Sequence, residues 1–554
     1  GGCGACVILI AKYNPKTDEV TEFNASSCLT LLYSIHFCSI ITTEGLGNTK
    51  DGFHAIQKRM SGFHASQCGF CTPGMCMSIF SSLVNADKSK KPDPPKGFSK
   101  LSVSEAERSF SGNMCRCTGY RPIVDACKSF ASDVDLEDLG LNIFWKKGDK
   151  HPDPTKLPSY TLGGGICTFP DFLKSEIKSS LDFNDASISS PREGWYCPKN
   201  IKQYYKLVNS GLFSESSVKV VVGNTSTGVY KDQDLYDKYI DIAGIPELSA
   251  IVRKDKGIEI GAATSISRTI EILNQESEST SSPNGSVVFR KLAEHMSKVA
   301  SPFVRNTASI GGNIILAHKY PFRSDIATIL LGAAATVNLQ VSSKTLHVNL
   351  EQFLEQPPLD HGTLLLSIFI PHWASDCKKE HTLVFETYRA APRPLGNAVS
   401  YVNSAFLGHV SLDKSSGDNI LSNLHLAFGA YGTKHAIRSR KVEEYLTGKI
   451  LSASVVLEAI RLLRETIVPV EGTTQPEYRV SVAVGFLFSF LSPLCKGVIE
   501  PGKTLSISED LVHTDNVHNM PLSSRRETHS GDEYKPVGDP IKKYKVELQA
   551  SGMW

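Results

Sequence analysis

The chain has 554 residues, 59 of them basic and 57 acidic, for a net charge of +2. That length exceeds one hydrophobic core and calls for three or more domains. The near-neutral balance argues against a nucleic-acid surface or a polybasic membrane patch. No apolar run in the sequence reaches a membrane span; the richest, Val480 to Leu494, is 15 residues and is interrupted by Gly485 and serines.

In chain order, Val7–Ala11, Glu19–Phe23 and Ile40–Thr43 read as short strands, with an apolar segment Cys28–Ile35 between them. Residues 53–135 read as helices. Ser102-x-x-Glu105 opens one with a capping box, and Pro122 sits in a helix-opening place for another, Arg121–Ala131. Residues 137–195 are rich in Lys, Asp, Pro, Gly and Ser, including Lys146–Pro158 and Gly163–Gly165, and read as a linker. Alternating strands and helices follow. Strands are expected at Val218–Val222, Tyr239–Ile242 and Gly257–Ala262, and helices at Ile266–Leu273 and Phe289–Ala300. From about Thr382 the pattern is antiparallel, with Ala398–Leu412 and Leu424–Tyr431, then helices Val455–Ile467 and Val482–Leu491. Residues 496–554 lose periodicity and read as an extended tail.

Ten of the 14 cysteines precede residue 128. A secreted disulfide scaffold is shorter and spreads its cysteines more evenly, so a reducing compartment is expected. No signal peptide opens the chain. Asn24-Ala25-Ser26 and Asn224-Thr225-Ser226 match the glycosylation pattern, which chance often supplies. Cys68-x2-Cys71 with Cys115-x-Cys117 makes four thiolates, enough for an iron–sulfur cluster, with two from each segment expected to grip one iron. Zinc and unligated buried thiols are the alternatives, and zinc prefers two to four residues between paired cysteines. Cys3-x2-Cys6 with Cys28 is three-quarters of a plant-type [2Fe–2S] set. The first cysteine of that set would stand three residues before Gly1. Cys38, Cys76 and Cys127 fall outside both patterns and read as small buried apolar residues. Further on, Val220-Val221-Val222-Gly223-Asn224-Thr225-Ser226-Thr227-Gly228 is a strand running into a small-residue turn whose N–H groups suit a pyrophosphate. Many strand–turn junctions look the same.

Three stretches together resemble the molybdo-flavoenzymes, the xanthine dehydrogenase and aldehyde oxidase family. They are Cys3-Gly4-Ala5-Cys6, Ser66-Gln67-Cys68-Gly69-Phe70-Cys71-Thr72-Pro73-Gly74 and Cys115-Arg116-Cys117-Thr118-Gly119-Tyr120-Arg121-Pro122. The resemblance runs through the chain almost without a break. It implies a multidomain α+β architecture: a β-grasp ferredoxin-like domain (1–47), a four-helix [2Fe–2S] domain (48–136) and a linker (137–190). An FAD-binding domain of the PCMH, or vanillyl-alcohol-oxidase, type (191–378) and a C-terminal α+β subdomain resembling that of CO dehydrogenase flavoprotein (379–495) follow, with a linker and the start of a molybdopterin domain at 496–554. It also implies an electron path: from a molybdenum–pterin centre to the cluster of Cys68, Cys71, Cys115 and Cys117, then to that of Cys3, Cys6 and Cys28, then to FAD.

By the same resemblance Gln67 touches the pterin, and Val221, Val222, Gly223, Asn224, Thr225, Ser226, Thr227 and Gly228 meet FAD. Ser309, Gly312 and Asn313, in Ala308-Ser309-Ile310-Gly311-Gly312-Asn313, and Asp325 align with further FAD positions, and Leu365 with an apolar position beside the flavin ring. Taken alone, Gln67 is a polar turn residue, Asp325 a helix-opening carboxylate and Leu365 core. Glu386-Thr387-Tyr388-Arg389-Ala390-Ala391-Pro392-Arg393-Pro394, Ala427–Arg438 and Asp51-Gly52-Phe53-His54 resemble plant aldehyde oxidases. Those enzymes oxidise abscisic, indole-3-acetic and related aldehydes with O2 and form H2O2, as cytoplasmic homodimers. A xanthine dehydrogenase fragment or a separate electron-transfer subunit are the alternatives. Gln549-Ala550-Ser551-Gly552 resembles the opening motif of the family's molybdenum portion, so the sequence reads as truncated at both ends, with no catalytic residue of its own.

Overall fold

The computed structural model describes residues 1–553 except 146–150, 162–167, 183–193, 214–216, 231–235, 280–282, 374–380, 394–395, 397, 414–415 and 496–530. Strands β1 (Val7–Asn14), β2 (Glu19–Ser26) and β3 (Cys38–Ile41) form an antiparallel sheet in the order β2-β1-β3. Alternation along β1 sends Val7 and Leu9 into the core of the helical domain that follows. Ala11 and Tyr13 join Phe169 and Ile177 in a separate small cluster.

The helical domain contains α1 (Thr43–Leu46), α2 (Ala55–Gly62), α3 (Thr72–Asp87), α4 (Val103–Arg108) and α5 (Arg121–Lys128). Ser102 and Glu105 close the expected capping box of α4. Arg59 of α2 is fully buried and takes backbone carbonyls as its partners. Its guanidinium donates to Pro158 O at 2.9 Å, to Gly97 O at 2.6 Å and to Ser129 O, and lies 4.0 Å over the Phe130 ring. Burial pushes its pKa down to about 9. One cation thus satisfies carbonyls from three separate loops.

The Pro158 contact corrects part of the linker reading. Leu157 and Tyr160 are buried in the helical-domain core, and Tyr160 Oη donates to Asp87 at 2.8 Å. Farther on, α6 (Asp171–Asp182) docks on β1, with Phe169 and Tyr13 ring centres 5.8 Å apart. Polar composition masks an apolar stripe at four-residue spacing, Phe169, Leu173 and Ile177. The linker stretches 146–150 and 163–165 lie outside the described residues.

The next domain pairs two sheets. A parallel one, in the order β4-β6-β5, holds β4 (Trp195–Tyr196), β5 (Val218–Val221) and β6 (Lys238–Asp241) beside α7 (Ile201–Val208). The other, in the order β10-β9-β11-β8-β7, is antiparallel, with β7 (Ile251–Lys254), β8 (Gly257–Gly261), β9 (Thr336–Val341), β10 (Lys344–Asn349) and β11 (Thr363–Pro371). Helices α8 (Ile266–Ser279), α9 (Pro283–Ser297), α10 (Pro302–Arg305), α11 (Ile310–Lys319), α12 (Asp325–Gly332) and α13 (Leu350–Glu355) belong to the same domain.

The C-terminal domain is a four-stranded antiparallel sheet, β12 (Thr382–Ala390), β13 (Val402–Leu412), β14 (Asn419–Gly429) and β15 (Ile437–Arg438), with α14 (Arg440–Leu446), α15 (Ala453–Thr466) and α16 (Pro476–Leu491). The apolar stretch that includes α16, Pro476–Cys495, is 20 residues at mean hydropathy 1.5, longer than the run expected from the sequence and long enough by composition to cross a membrane. In the fold, Ala483, Leu487, Phe490 and Leu491 are buried in the core of this domain. The tail reading also needs correction. A further helix, α17 (Val546–Ala550), packs Val546 and Ala550 at 1% and 0% exposure, in contact with α2 and α3.

Arg59→Ala removes the donor to Pro158 O and Ser129 O and one of the two donors to Gly97 O. It is expected to destabilise the helical domain by about 3 kcal/mol or more, read as faster amide exchange in α2 and α5 while the β13–β14 sheet is unaffected.

Candidate functional site

Cys71 is the N-cap of α3, followed by Thr72 and Pro73 in its first turn, so the helix begins at the thiol. Gly69 takes φ +87, which lets the loop turn back. The partner loop is folded around its own sulfur. Tyr120 Oη accepts from Cys115 N at 3.0 Å, Thr118 Oγ1 lies 3.1 Å from Cys115 Sγ, and Thr118 N donates to the same sulfur at 3.5 Å. The Thr-Gly-Tyr that follows Cys117 is therefore a clamp on Cys115.

The four thiols meet. Cys68 lies beside Cys117, and Cys71 beside Cys115. Each pair crosses between the two loops, because the loops run side by side. Cys71 and Cys115 are buried, and Cys68 and Cys117 are exposed. Burial and the neighbouring Cys115 push the Cys71 thiol up to about 12. Burial also raises Cys115, but the Thr118 hydrogen bonds outweigh it and its pKa is lowered. Among the described residues, no group of three or more His, Cys, Asp or Glu side chains is arranged to hold a metal ion. Two adjacent pairs of thiols fit a group with two metals better than a lone tetrahedral zinc.

The Cys3 loop abuts this site. Met114 N, next to Cys115, donates to Cys3 O at 2.8 Å, and Asn113 Nδ2 to Gly4 O at 3.0 Å. A Cβ at Gly74, three residues past Cys71, would collide with Gly4 O. Within the loop, Cys28 N donates to Cys6 Sγ at 3.5 Å. Cys76 and Cys127 are core thiols, 0% and 1% exposed, whereas Cys38 is half-buried.

The flavin turn lies on the other side of the Cys28 segment. A Cβ at Gly228 would be 3.3 Å from Leu29 Cδ2, and one at Gly1 would be 3.1 Å from Gly228 Cα. Thr225–Gly228 is one 3-10 turn entered through Asn224 at φ +52. The first N–H groups of such a turn, Thr225 and Ser226, have no acceptor within it. Among the described residues Asn224 Oδ1 is buried with no protein partner, as is Thr264 Oγ1. A Cβ at Gly223 would strike Thr307 O, so this turn and the Ser309 segment meet backbone to backbone. The N–H groups opening the glycine turn, with the unpartnered Thr264 hydroxyl as a further donor, fit a phosphate-bearing cofactor.

The remaining expected residues are built into the frame. Ser309 caps α11, accepting from Gly312 N at 3.0 Å. Asn313 Oδ1 accepts from Ser324 Oγ at 2.5 Å. Val221 is buried, and Val222 is partly buried. Leu365 is core, 5% exposed and paired with Leu339. Asp325 Oδ1 is taken by three protein donors: His295 Nε2 at 3.2 Å, Arg389 Nε at 3.1 Å and Ser400 Oγ at 2.7 Å. Burial raises its pKa, but those donors outweigh it and hold it below the ordinary 3.8. The resemblance assigns Asp325 to the cofactor, whereas the structure commits this oxygen to the protein. Gln67 is exposed beside Cys68. Asn306 carries no mark in the sequence. Its amide donates to Asn24 O at 3.0 Å and Oδ1 at 2.7 Å, tying the flavin domain to β2. Asn24 is thereby buried, which removes that glycosylation match from the surface.

This is the frame of an iron–sulfur flavoprotein. Residues 42–128 match the [2Fe–2S] binding domain, 186–373 the FAD binding domain in molybdopterin dehydrogenase, and 386–494 the CO dehydrogenase flavoprotein C-terminal domain. The chain belongs to the molybdo-flavoenzyme family, on its aldehyde oxidase side. A putative aldehyde oxidase-like protein of Oryza sativa subsp. japonica is 98% identical over 551 residues, covering 100% of this chain and 41% of that protein. Probable aldehyde oxidase 4 of the same organism is 97% identical over 552 residues, covering 100% of this chain and 66% of its own length. An indole-3-acetaldehyde oxidase of Zea mays is 62% identical over 557 residues, covering 100% of this chain and 40% of its own length. Among solved structures, a carbon monoxide dehydrogenase from Hydrogenophaga pseudoflava superposes with TM-score 0.44 at 21% identity, over 55% of this chain and 99% of that one.

Asp325→Asn leaves the Arg389 guanidinium, 5% exposed, without its carboxylate. It is expected to lower the stability of the cofactor-free chain by roughly 3–5 kcal/mol. Because the folded pKa is depressed, the wild-type contribution is full above the ordinary 3.8 and is lost as pH falls through the lower folded value. Unchanged stability of the cofactor-free variant with weakened FAD binding would put the carboxylate on the cofactor instead.

Proposed function

We propose that the chain is the electron-transfer and FAD portion of an aldehyde oxidase, which converts aldehyde, water and O2 to carboxylic acid and H2O2. The observation that carries this reading is the contact of three donor segments in series. The Cys115 loop is bonded to the Cys3 loop through Met114 N and Cys3 O at 2.8 Å, and Leu29, next to Cys28, packs on Gly228 of the flavin turn. When bound, two [2Fe–2S] clusters pass single electrons and FAD collects two and hands them to O2.

Cys68, Cys71, Cys115 and Cys117 hold the first cluster. Cys3, Cys6 and Cys28 supply three thiolates to the second. The turn at 221–228 cradles the FAD pyrophosphate with its free N–H groups. Ser309, Gly312 and Asn313 would form the facing wall, and Leu365 would supply an apolar position beside the flavin ring. Asp325 acts as a positioning residue, anchoring the start of α12 to His295, Arg389 and Ser400 next to the Ser324–Asn313 bond. FAD is held noncovalently. Residues 221–228 contain no histidine or cysteine, and the one histidine in 309–325, His318, is buried, stacked on Phe353 and bonded to Gln356 O at 3.0 Å. The exposed Gln67 beside Cys68 is the entry side, facing a molybdenum–pterin centre. That centre, and the choice among plant aldehydes such as abscisic or indole-3-acetic aldehyde, belong to the part of the relatives outside the aligned region. A cytoplasmic homodimer completes the reading, and the net charge of +2 supports the part of it that excludes a nucleic-acid or polybasic membrane surface.

The test is spectroscopic. Iron-replete, anaerobically purified chain is expected to show at least one [2Fe–2S] EPR signal on reduction and noncovalent FAD. Cys115→Ser removes that signal and leaves FAD bound. Stoichiometric zinc without iron overturns the assignment.

A further inference from the structure

One buried polar side chain reaches a cysteine loop from the far end of the sequence. Gln549, on α17, is 6% exposed. Its Oε1 accepts from Ser66 Oγ at 3.0 Å and from Lys543 Nζ at 2.9 Å, and its Nε2 lies 3.5 Å from Cys68 O. Ser66 Oγ accepts in turn from Thr72 Oγ1 at 2.8 Å, the residue after Cys71. Lys543 Nζ also donates to Gln67 O, one residue before Cys68. A Cβ at Gly69 would meet Gln549 Cδ at 2.8 Å, so the amide rests against the bare backbone between the two cysteines. The segment is held from behind, where Thr43 Oγ1 donates to Ala550 O at 2.9 Å and Ser551 is fully buried.

We propose that Gln549 and Lys543 form a strap that positions the Cys68–Cys71 loop and raises the reduction potential of the cluster it holds. The proposal rests on the iron–sulfur reading of those cysteines. Reduction adds one electron and one negative charge to the cluster, and no bond forms or breaks. An ammonium fixed one residue from Cys68 favours the more negative form. Charge, hydrogen bonding and exposure around the sulfurs are the levers that set such potentials. Both residues are positioning residues that act on the loop through Cys68 O, Gln67 O and Ser66.

The experiment is a potentiometric EPR titration of the full 554-residue chain loaded with iron and sulfide, with dithionite as reductant. Lys543→Gln, at the surface, is expected to keep its iron and lower the reduced-to-oxidised ratio at fixed potential by about threefold, or ~28 mV from 59 mV per tenfold for one electron. Gln549→Glu keeps the shape and the acceptor for Ser66 but adds a negative charge, and is expected to shift the potential in the same direction. Gln549→Ala is expected to alter the g-values. Absence of any iron signal in the wild type overturns the cluster reading itself. A wild-type signal with unchanged potentials in both Lys543→Gln and Gln549→Glu overturns the strap. Iron loss in Gln549→Ala together with those unchanged potentials marks a purely structural contact and also overturns it.

Discussion

Backbone meeting backbone without side chains between is the constraint on which this structure depends. Gly74 admits Gly4 O to the first turn of α3, and Gly223 admits Thr307 O to the flavin turn. At each point a methyl group would collide with its neighbour, so the domains are joined at the loops that carry the donor residues. Close-packed contacts of this kind tolerate little relaxation. Adjacent backbones thereby hold the two cysteine loops and the glycine turn at 223–228 against their neighbours.

Around those junctions the protein uses buried polar groups as ties. Arg59 gathers three loops through their carbonyls, Asn306 binds β2, and Asp325 draws α9, α12 and β12 together through His295 and Arg389. Removing one partner strands the other in a low-dielectric interior. The sites themselves keep the opposite character, with Cys68 and Cys117 exposed and Asn224 Oδ1 left without a protein partner among the described residues.

The strands of the first domain, the capping box at Ser102 and helices α15 and α16 of the C-terminal domain are legible in the sequence, because period and capping are local properties. The cysteine spacing likewise leads to the loops that the fold unites. Pairing across the loops is not legible, since spacing says nothing about which thiol faces which. The docking of α6 is hidden by polar composition around three apolar residues. The roles of Asn306 and Thr307 depend on contacts far away in sequence and leave no local mark, and the motif that contains Gln549 does not reveal its contact with Ser66. Asp325 opens a helix as its position suggests, yet its partners come from α9, β12 and the segment before β13, which one sequence cannot bring together.

Gly74 joins the Cys3 loop to the first turn of α3 backbone to backbone. Amide exchange in Gly74→Ala tests it most directly, because Met114 N–H is bonded to Cys3 O across the junction. Faster exchange at Met114 and Val7, with the β13–β14 sheet unchanged, is the predicted result. Protection at Met114 equal to wild type would contradict it.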